Sequence, residues 1–381
     1  MTVYLAFISI TIVSPILLQS IFEDRKKANL CALIISALFL FLMLALRAPS
    51  VGRDVIGYKN MYEQFAKNTR YDADTYWVEK GYSMIQMFFA RVLKADWQVF
   101  LAFCSGFSVF SYFLFLKRYS SDPAFSLLVY ILMGYMMFDM SAMRTALALS
   151  ICLLILPLFD KKGIWPPMIV TIIVIFIAIQ FHSSAYIFYL LYLLYKTPLN
   201  SVSVFCFISL PMFFFAFRGP IVDWAIGNFK KSAIDGGASL GGNALLYIFI
   251  LIFAVIVFVF LAYQNGTSFK SIVRIDPQTK KRKHFKDVFA DIDSSTIMAF
   301  RMLYAGVAFT IFTGNNIFAR MAEYGLIFTV ILLPNLISKF EIRSRYILKI
   351  GLIGLMMLYF YYYKVIPDDL WCVPYKFFWD A

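Results

Sequence analysis

Apolar residues recur along this chain in long blocks. Runs of helical length occupy residues 1–22, 30–46, 97–116, 124–138, 140–159, 164–181, 182–195, 199–217, 244–263, 297–313, 317–338 and 346–363. Blocks approaching roughly 20 apolar residues match the hydrocarbon thickness of a bilayer when helical. A helix also satisfies its own backbone where water is absent. The pattern therefore predicts an all-α polytopic integral membrane protein, with residues 1–381 forming one membrane domain of about twelve transmembrane helices. Segment 81–93 is apolar on one side, carries Arg91 and is too short to cross. It reads as a re-entrant or interfacial helix, or a bent extension of 97–116. A second interfacial helix is expected around residues 58–65. The first run, 2–22, lacks a basic leader and a small-residue cleavage pattern, so it reads as a retained span.

Composition agrees: 61% of residues are hydrophobic, 19% aromatic and only 15% charged, with a mean hydropathy of +0.76. The net charge of +13 changes the picture only through its location. Lys and Arg sit in short loops beside apolar runs, as in Arg25, Lys26 and Lys27, Lys117 and Arg118, Lys161 and Lys162, and Lys339, Arg343 and Arg345, with the largest cluster over 270–286. That is the positive-inside pattern and not a nucleic-acid footprint. It places 23–29, 117–122, 160–163, 196–198, 264–296 and 339–345 in the cytoplasm. Loop 47–80, the joints near 139 and 182, loop 218–243, residues 314–316 and both termini then lie outside. Loop 218–243 holds Gly236, Gly237, Gly241 and Gly242, a density that suits a loop covering a site. The basic loop 264–296 reads as a topological anchor in contact with anionic lipid.

With this topology the polar landmarks collect at one face. Charges at membrane depth are costly and mark substrate or ion paths. Arg47-Ala-Pro-Ser-Val-Gly-Arg-Asp54, followed by Tyr58, carries two guanidiniums and a carboxylate. Arginine matches phosphate oxygens with a rigid fork of donors, and Pro49 and Gly52 suit a turn that presents backbone N–H groups; snorkelling arginines are the bland alternative. Arg144, in Asp139-Met-Ser-Ala-Met-Arg-Thr-Ala-Leu-Ala148, lies about one turn into an apolar helix, with an ion pair to Asp139 as the alternative to a ligand site. His182 in Gln180-Phe-His-Ser-Ser184 is one of two histidines, and His284 is in the basic loop. An imidazole there can accept a proton from a sugar hydroxyl or bind phosphate. Arg320, Glu323 and Tyr324, after Gly314-Asn315-Asn316, share a helical face, and Glu79 is a further candidate carboxylate. Glycine-rich nucleotide loops, zinc motifs and hydrolase elbows are missing from the sequence. The cysteines, at 31, 104, 152, 206 and 372, form no CxxC or Cys/His spacing. Neither a metal nor a cofactor is expected. No internal repeat supports a repeat-built transporter.

These pieces resemble the EpsG/Wzy-type family of polysaccharide polymerases. The matching residues run in the family's order: Arg47 to Tyr58 (R-x5-RD-x3-Y), Glu79-Lys-Gly-Tyr82, Met143-Arg-Thr-Ala-Leu-Ala148, Phe181-His-Ser-Ser184 and Arg320-x2-Glu-Tyr324. The family usually has Thr or Asn after the first glycine, where Arg53 stands here, and often Gln where Thr145 stands. The resemblance implies a GT-C-like fold and a glycosyltransferase in the bacterial inner membrane with a periplasmic active site. Its donor and acceptor are undecaprenyl-pyrophosphate-linked oligosaccharides, and it moves the growing O-antigen or related chain onto the non-reducing end of a new repeat unit. It implies His182, Asp54 and Glu79 as catalytic candidates, with Arg47, Arg53, Tyr58, Arg144, Asn315, Arg320, Glu323 and Tyr324 binding pyrophosphate or sugar. Membrane lipids, a chain-length regulator and a flippase of the same pathway are the expected partners, and no nucleic acid. A lipid-linked oligosaccharide flippase and an O-antigen ligase are the competing readings. The topology is directly testable: a cysteine placed at position 230 should react with an impermeant thiol reagent from outside, and one at 280 should not. The reverse labelling would invert every assignment of sidedness.

Overall fold

The computed structural model describes residues 1–67, 78–161, 165–198, 244–264, 292–310 and 316–380, with isolated positions between 209 and 220. The expected span 199–217, most of loops 218–243 and 264–296, and Asn315 lie outside the described residues. What is described is helical: α1 (Thr2–Ile21), α2 (Arg25–Ala45), α3 (Val55–Lys67), α4 (Lys80–Met87), α5 (Trp97–Tyr119), α6 (Pro123–Leu132), α7 (Tyr135–Ser141), α8 (Met143–Leu154), α9 (Leu156–Phe159), α10 (Trp165–Ile179), α11 (Ile187–Lys196), α12 (Ala244–Gln264), α13 (Ser294–Phe309), α14 (Asn316–Leu326), α15 (Thr329–Ile337) and α16 (Ile342–Phe360). Two compact units form, residues 1–186 with 337–381 and residues 187–336.

Among the described residues six helical stretches are long and apolar enough to cross a membrane, or seven if the bent pair α6–α7 counts as one span. This is a multi-pass membrane protein. The apolar pattern, which is blind to breaks, predicts about twelve spans over the whole chain. Gly134, in the left-handed region at φ 85°, ends α6 and turns the chain by 63° into α7. The next run is interrupted before Pro157, which has no N–H to continue a helix. Runs 164–181 and 182–195 yield helices of only 15 and 10 residues.

In the first unit α8 is the axis. Nearly every residue from Met143 to Leu153 is buried, as expected of a helix surrounded by others. The predicted helix around 58–65 is α3, whose buried Val55, Tyr58, Met61, Tyr62 and Phe65 fall on one face at helical spacing. Segment 81–93 becomes α4 plus one π-helical turn, Phe88–Val92, about 20 Å of helix and too short to span. Arg91 ends α3 by donating from Nε to the Phe65 carbonyl at 2.8 Å. Asp24 and Asp122 cap α2 and α6 by accepting the N–H groups of Lys26 and Phe125. Exposed apolar side chains on α16, such as Ile347, Ile350 and Leu355, suit lipid contact.

In the second unit Gly306 of α13 and Gly325 of α14 face one another so closely that a Cβ on either would meet backbone, the small-residue contact that lets membrane helices touch. Asp293 caps α13 through the Thr296 N–H at 3.0 Å. Arg301 of α13 donates to the carbonyls of Leu194, Tyr195 and Thr197 at the C-terminal end of α11, where helix carbonyls lack partners.

The tail after α16 folds back on the segment that follows α2. The Ala48 N–H donates to the Lys376 carbonyl, Phe378 to Leu46, Gly52 to Trp371 and Arg53 to Leu370, each at 2.9 Å. The hydroxyls of Tyr4 and Tyr375 donate to the carbonyls of Cys372 (2.7 Å) and Met43 (2.9 Å). Asp368 holds the tail's own turn by accepting the N–H groups of Cys372 and Val373. Burial pushes the Cys372 thiol up to about 12, so it stays protonated and inert. A chain ending at residue 365 loses these bonds together. Its melting temperature in detergent should fall by about 5 °C or more; an unchanged value would mean that the tail adds nothing to the fold.

Candidate functional site

Four segments of the first unit meet at the start of α8. The chain breaks at Ala142, so Arg144 falls in the first turn of this helix, and it is 4% exposed. Its Nε donates to the Tyr58 hydroxyl at 3.2 Å, and the guanidinium lies over the Tyr58 ring, 5.5 Å from the centroid. Another of its nitrogens forms an ion pair with a carboxylate oxygen of Glu79. The second Glu79 oxygen accepts the Ser183 N–H at 3.0 Å. Tyr58 in turn donates to Asp54 at 3.5 Å. A connected polar path therefore runs from Asp54 through Tyr58, Arg144 and Glu79 to the 182–184 turn.

Local chemistry explains the convergence. Glu79 is the residue before α4, and α4 lies against the end of α10, where the Tyr82 N–H donates to the Gln180 carbonyl at 3.2 Å. Gly81 makes that approach possible, since a Cβ there would sit 2.7 Å from the same carbonyl oxygen. Gln86 ties α4 to α3 by donating to the Tyr58 carbonyl and the Tyr82 hydroxyl. Beneath the path, Tyr58, Tyr62, Tyr82, Trp97 and Phe100 pack with ring centroids 5.3–6.1 Å apart, the range of favourable edge and offset contacts.

His182 is buried at 6% exposure. Its Nδ1 lies 2.6 Å from the Ser184 hydroxyl and accepts the Ser184 N–H at 3.1 Å. Asp139, the near-sequence alternative partner for Arg144, accepts the Tyr130 hydroxyl at 2.6 Å; the ion pair of Arg144 is with Glu79, 65 positions away.

The Arg47–Asp54 segment differs from its expected form. Arg47 is 1% exposed and donates to the carbonyls of Leu44 and Met140. It is neither snorkelling nor turned outward, because the tail covers it. The N–H groups of Gly52 and Arg53, expected to face a phosphate, donate instead to Trp371 and Leu370. Gly52 has φ 107°, beyond the reach of other residues without strain, and its Cα faces the Met140 carbonyl. The Arg53 side chain is exposed and Asp54 half-buried.

The remaining candidates belong to the second unit. Arg320 and Glu323 are half-buried on α14. Tyr324 is fully buried, its ring 6.0 Å from Phe188. Residues that side-chain chemistry alone did not single out are Ser183, Ser184, Gln86, Gly81 and Arg301. Ser183 and Ser184 were visible only as companions of His182.

The profile of the EpsG family matches residues 30–377, nearly the whole chain. The chain belongs to the EpsG family. Membership suggests a polysaccharide polymerase of glycosyltransferase type. No curated protein and no solved structure matches this member of the family.

The ion pair at the centre of this EpsG-family site has a measurable signature. Glu79→Ala strands a buried guanidinium and should cost about 3 kcal/mol, the low end for a broken buried pair because Glu79 keeps some solvent contact. Glu79→Ala with Arg144→Met should lose clearly less than the sum of the two single changes in thermal denaturation. Strict additivity would show that the two residues do not act together.

Proposed function

We propose that this EpsG-family protein polymerises undecaprenyl-pyrophosphate-linked oligosaccharide repeat units at the periplasmic face of a bacterial inner membrane. The growing chain is transferred from its lipid carrier to the non-reducing end of a new lipid-linked unit, giving an O-antigen or related surface polysaccharide. The observation that carries the reading is Arg144 in the first turn of α8. The positive end of a helix and a buried guanidinium there favour the same thing, an anion. Glu79 provides an anion of that kind, and Tyr58 and Glu79 together fix the plane of the fork.

In the proposed reaction a sugar hydroxyl of the acceptor forms a bond to the anomeric carbon of the donor chain. The bond from that carbon to the pyrophosphate oxygen breaks, and its electron pair leaves with the lipid pyrophosphate. Arg144, with Arg53 as a further candidate, stabilises the charge that develops on those oxygens. Pyrophosphate is a good leaving group, so one base for the hydroxyl proton suffices. Asp54, Glu79 and His182 are the candidates for accepting that proton, and Glu79 is held by Arg144 and by the Ser183 N–H. A GT-C-like arrangement of about twelve spans, with partners of the same pathway, belongs to this proposal.

The test is purified protein with a synthetic lipid-linked repeat unit as sole substrate. A ladder of products supports the polymerase, whereas a flippase or a ligase gives none. Arg144→Ala should abolish the ladder while the protein still reaches the membrane. Arg144→Lys should rescue it poorly, because an ammonium lacks the bidentate fork. Near-normal ladders in Arg144→Ala would remove this residue from the site.

A further inference from the structure

The 182–184 turn limits what the His182 ring can offer a ligand. A backbone amide can only donate a hydrogen bond. The Ser184 N–H points at His182 Nδ1 from 3.1 Å, so that ring nitrogen presents a lone pair. A proton on Nδ1 would face the amide proton directly. The Ser184 hydroxyl, 2.6 Å from the same nitrogen, therefore donates as well. In a neutral imidazole the single ring proton then sits on Nε2. An imidazolium would lose the amide contact and turn the Ser184 hydroxyl from donor to acceptor.

The ring has little freedom to escape this arrangement. His182 and Ser184 are 6% and 1% exposed. The His182 N–H donates to the Ala178 carbonyl at 3.1 Å, and its own carbonyl accepts the Ala185 N–H at 3.1 Å. The next amide, Ser183, donates to Glu79, so the same turn that sets the His182 tautomer also aligns the partner of Arg144.

We propose that Ser184 is a positioning residue that holds His182 as the Nε2–H tautomer, and that His182 acts as a hydrogen-bond donor to a phosphate oxygen of the lipid-linked substrate, not as the base. The only basic lone pair of the ring is occupied by Ser184. The ligand named here rests on the polymerase reading; the tautomer does not.

The experiment uses the full chain with His284→Gln, which leaves His182 as the one histidine, labelled with nitrogen-15 and examined by NMR in detergent near neutral pH. Protonated and unprotonated ring nitrogens have well-separated shifts. The expected spectrum has an unprotonated Nδ1 and a protonated Nε2. Adding a polyprenyl pyrophosphate should move the Nε2 signal. Ser184→Ala should move the Nδ1 signal and lower ladder formation by about tenfold, the worth of one hydrogen bond in the transition state. Ser184→Thr, which keeps the hydroxyl, should restore both. A main species protonated at Nδ1, or an imidazolium, overturns the proposal whether or not the chain proves to be a polymerase. An Nε2 signal indifferent to pyrophosphate overturns the donor role, and unchanged spectrum and ladder in Ser184→Ala overturn the role of Ser184.

Discussion

The arrangement of the first unit depends on one ion pair. Arg144 is a buried cation in the first turn of a helix, where the helix dipole already places positive charge. Without an anion beside it, that position would be among the most costly in the fold. Glu79 answers it from the start of α4, and the requirement explains much nearby. Gly81 is needed so that α4 can reach the end of α10. Gln86 joins α4 to α3, and α3 supplies Tyr58 on the other side of the guanidinium. The aromatic cluster below holds the three helices at fixed separation.

Arg47 is a second buried cation handled in a different way. It is screened by backbone carbonyls of Leu44 and Met140, and a covering segment keeps it from water. That segment comes from the far end of the chain, and its carbonyls take the N–H groups of Gly52 and Arg53. Two arginines of one family motif set thus have opposite settings. Arg47 is locked into the scaffold, whereas Arg144 is held by a carboxylate of the kind an anionic substrate can replace.

Much of this was legible in the sequence, and the failures have physical reasons. The helical class, the membrane location, the amphipathic helix at 55–67 and the short non-spanning segment after 80 follow from periodicity and length. Arg144 stood out because an arginine inside an apolar run needs a reason. Its partner did not stand out, since spacing suggested Asp139, five residues earlier, and the pair formed with Glu79 through a glycine contact that no pattern displays. The tail was illegible for a related cause. It acts through backbone hydrogen bonds, and its sequence, Asp368 to Asp380, carries no spacing that signals them. The described residues show fewer unbroken spans than the runs suggest, because Gly134 and Pro157 break runs that hydropathy treats as continuous.

The way the polar path is bonded bears on which activity it suits. A carrier that moves a lipid-linked oligosaccharide across a bilayer needs groups that exchange partners between two states. Here Asp54, Tyr58, Arg144, Glu79 and the Ser183 amide form a continuous chain of donors and acceptors, contributed by separate segments that are also tied to one another directly. Such a chain resists rearrangement, because moving one member unpairs its neighbours in a low-dielectric interior. Rigid, pre-aligned donors are what a developing negative charge requires, since they stabilise it without reorganising. In the proposed reaction the bond that the substrate replaces is the one between Arg144 and Glu79, since a pyrophosphate carries the same sign of charge and more oxygens. A site held stiff around an exchangeable anion suits the transfer chemistry proposed for it, in which a charged group leaves.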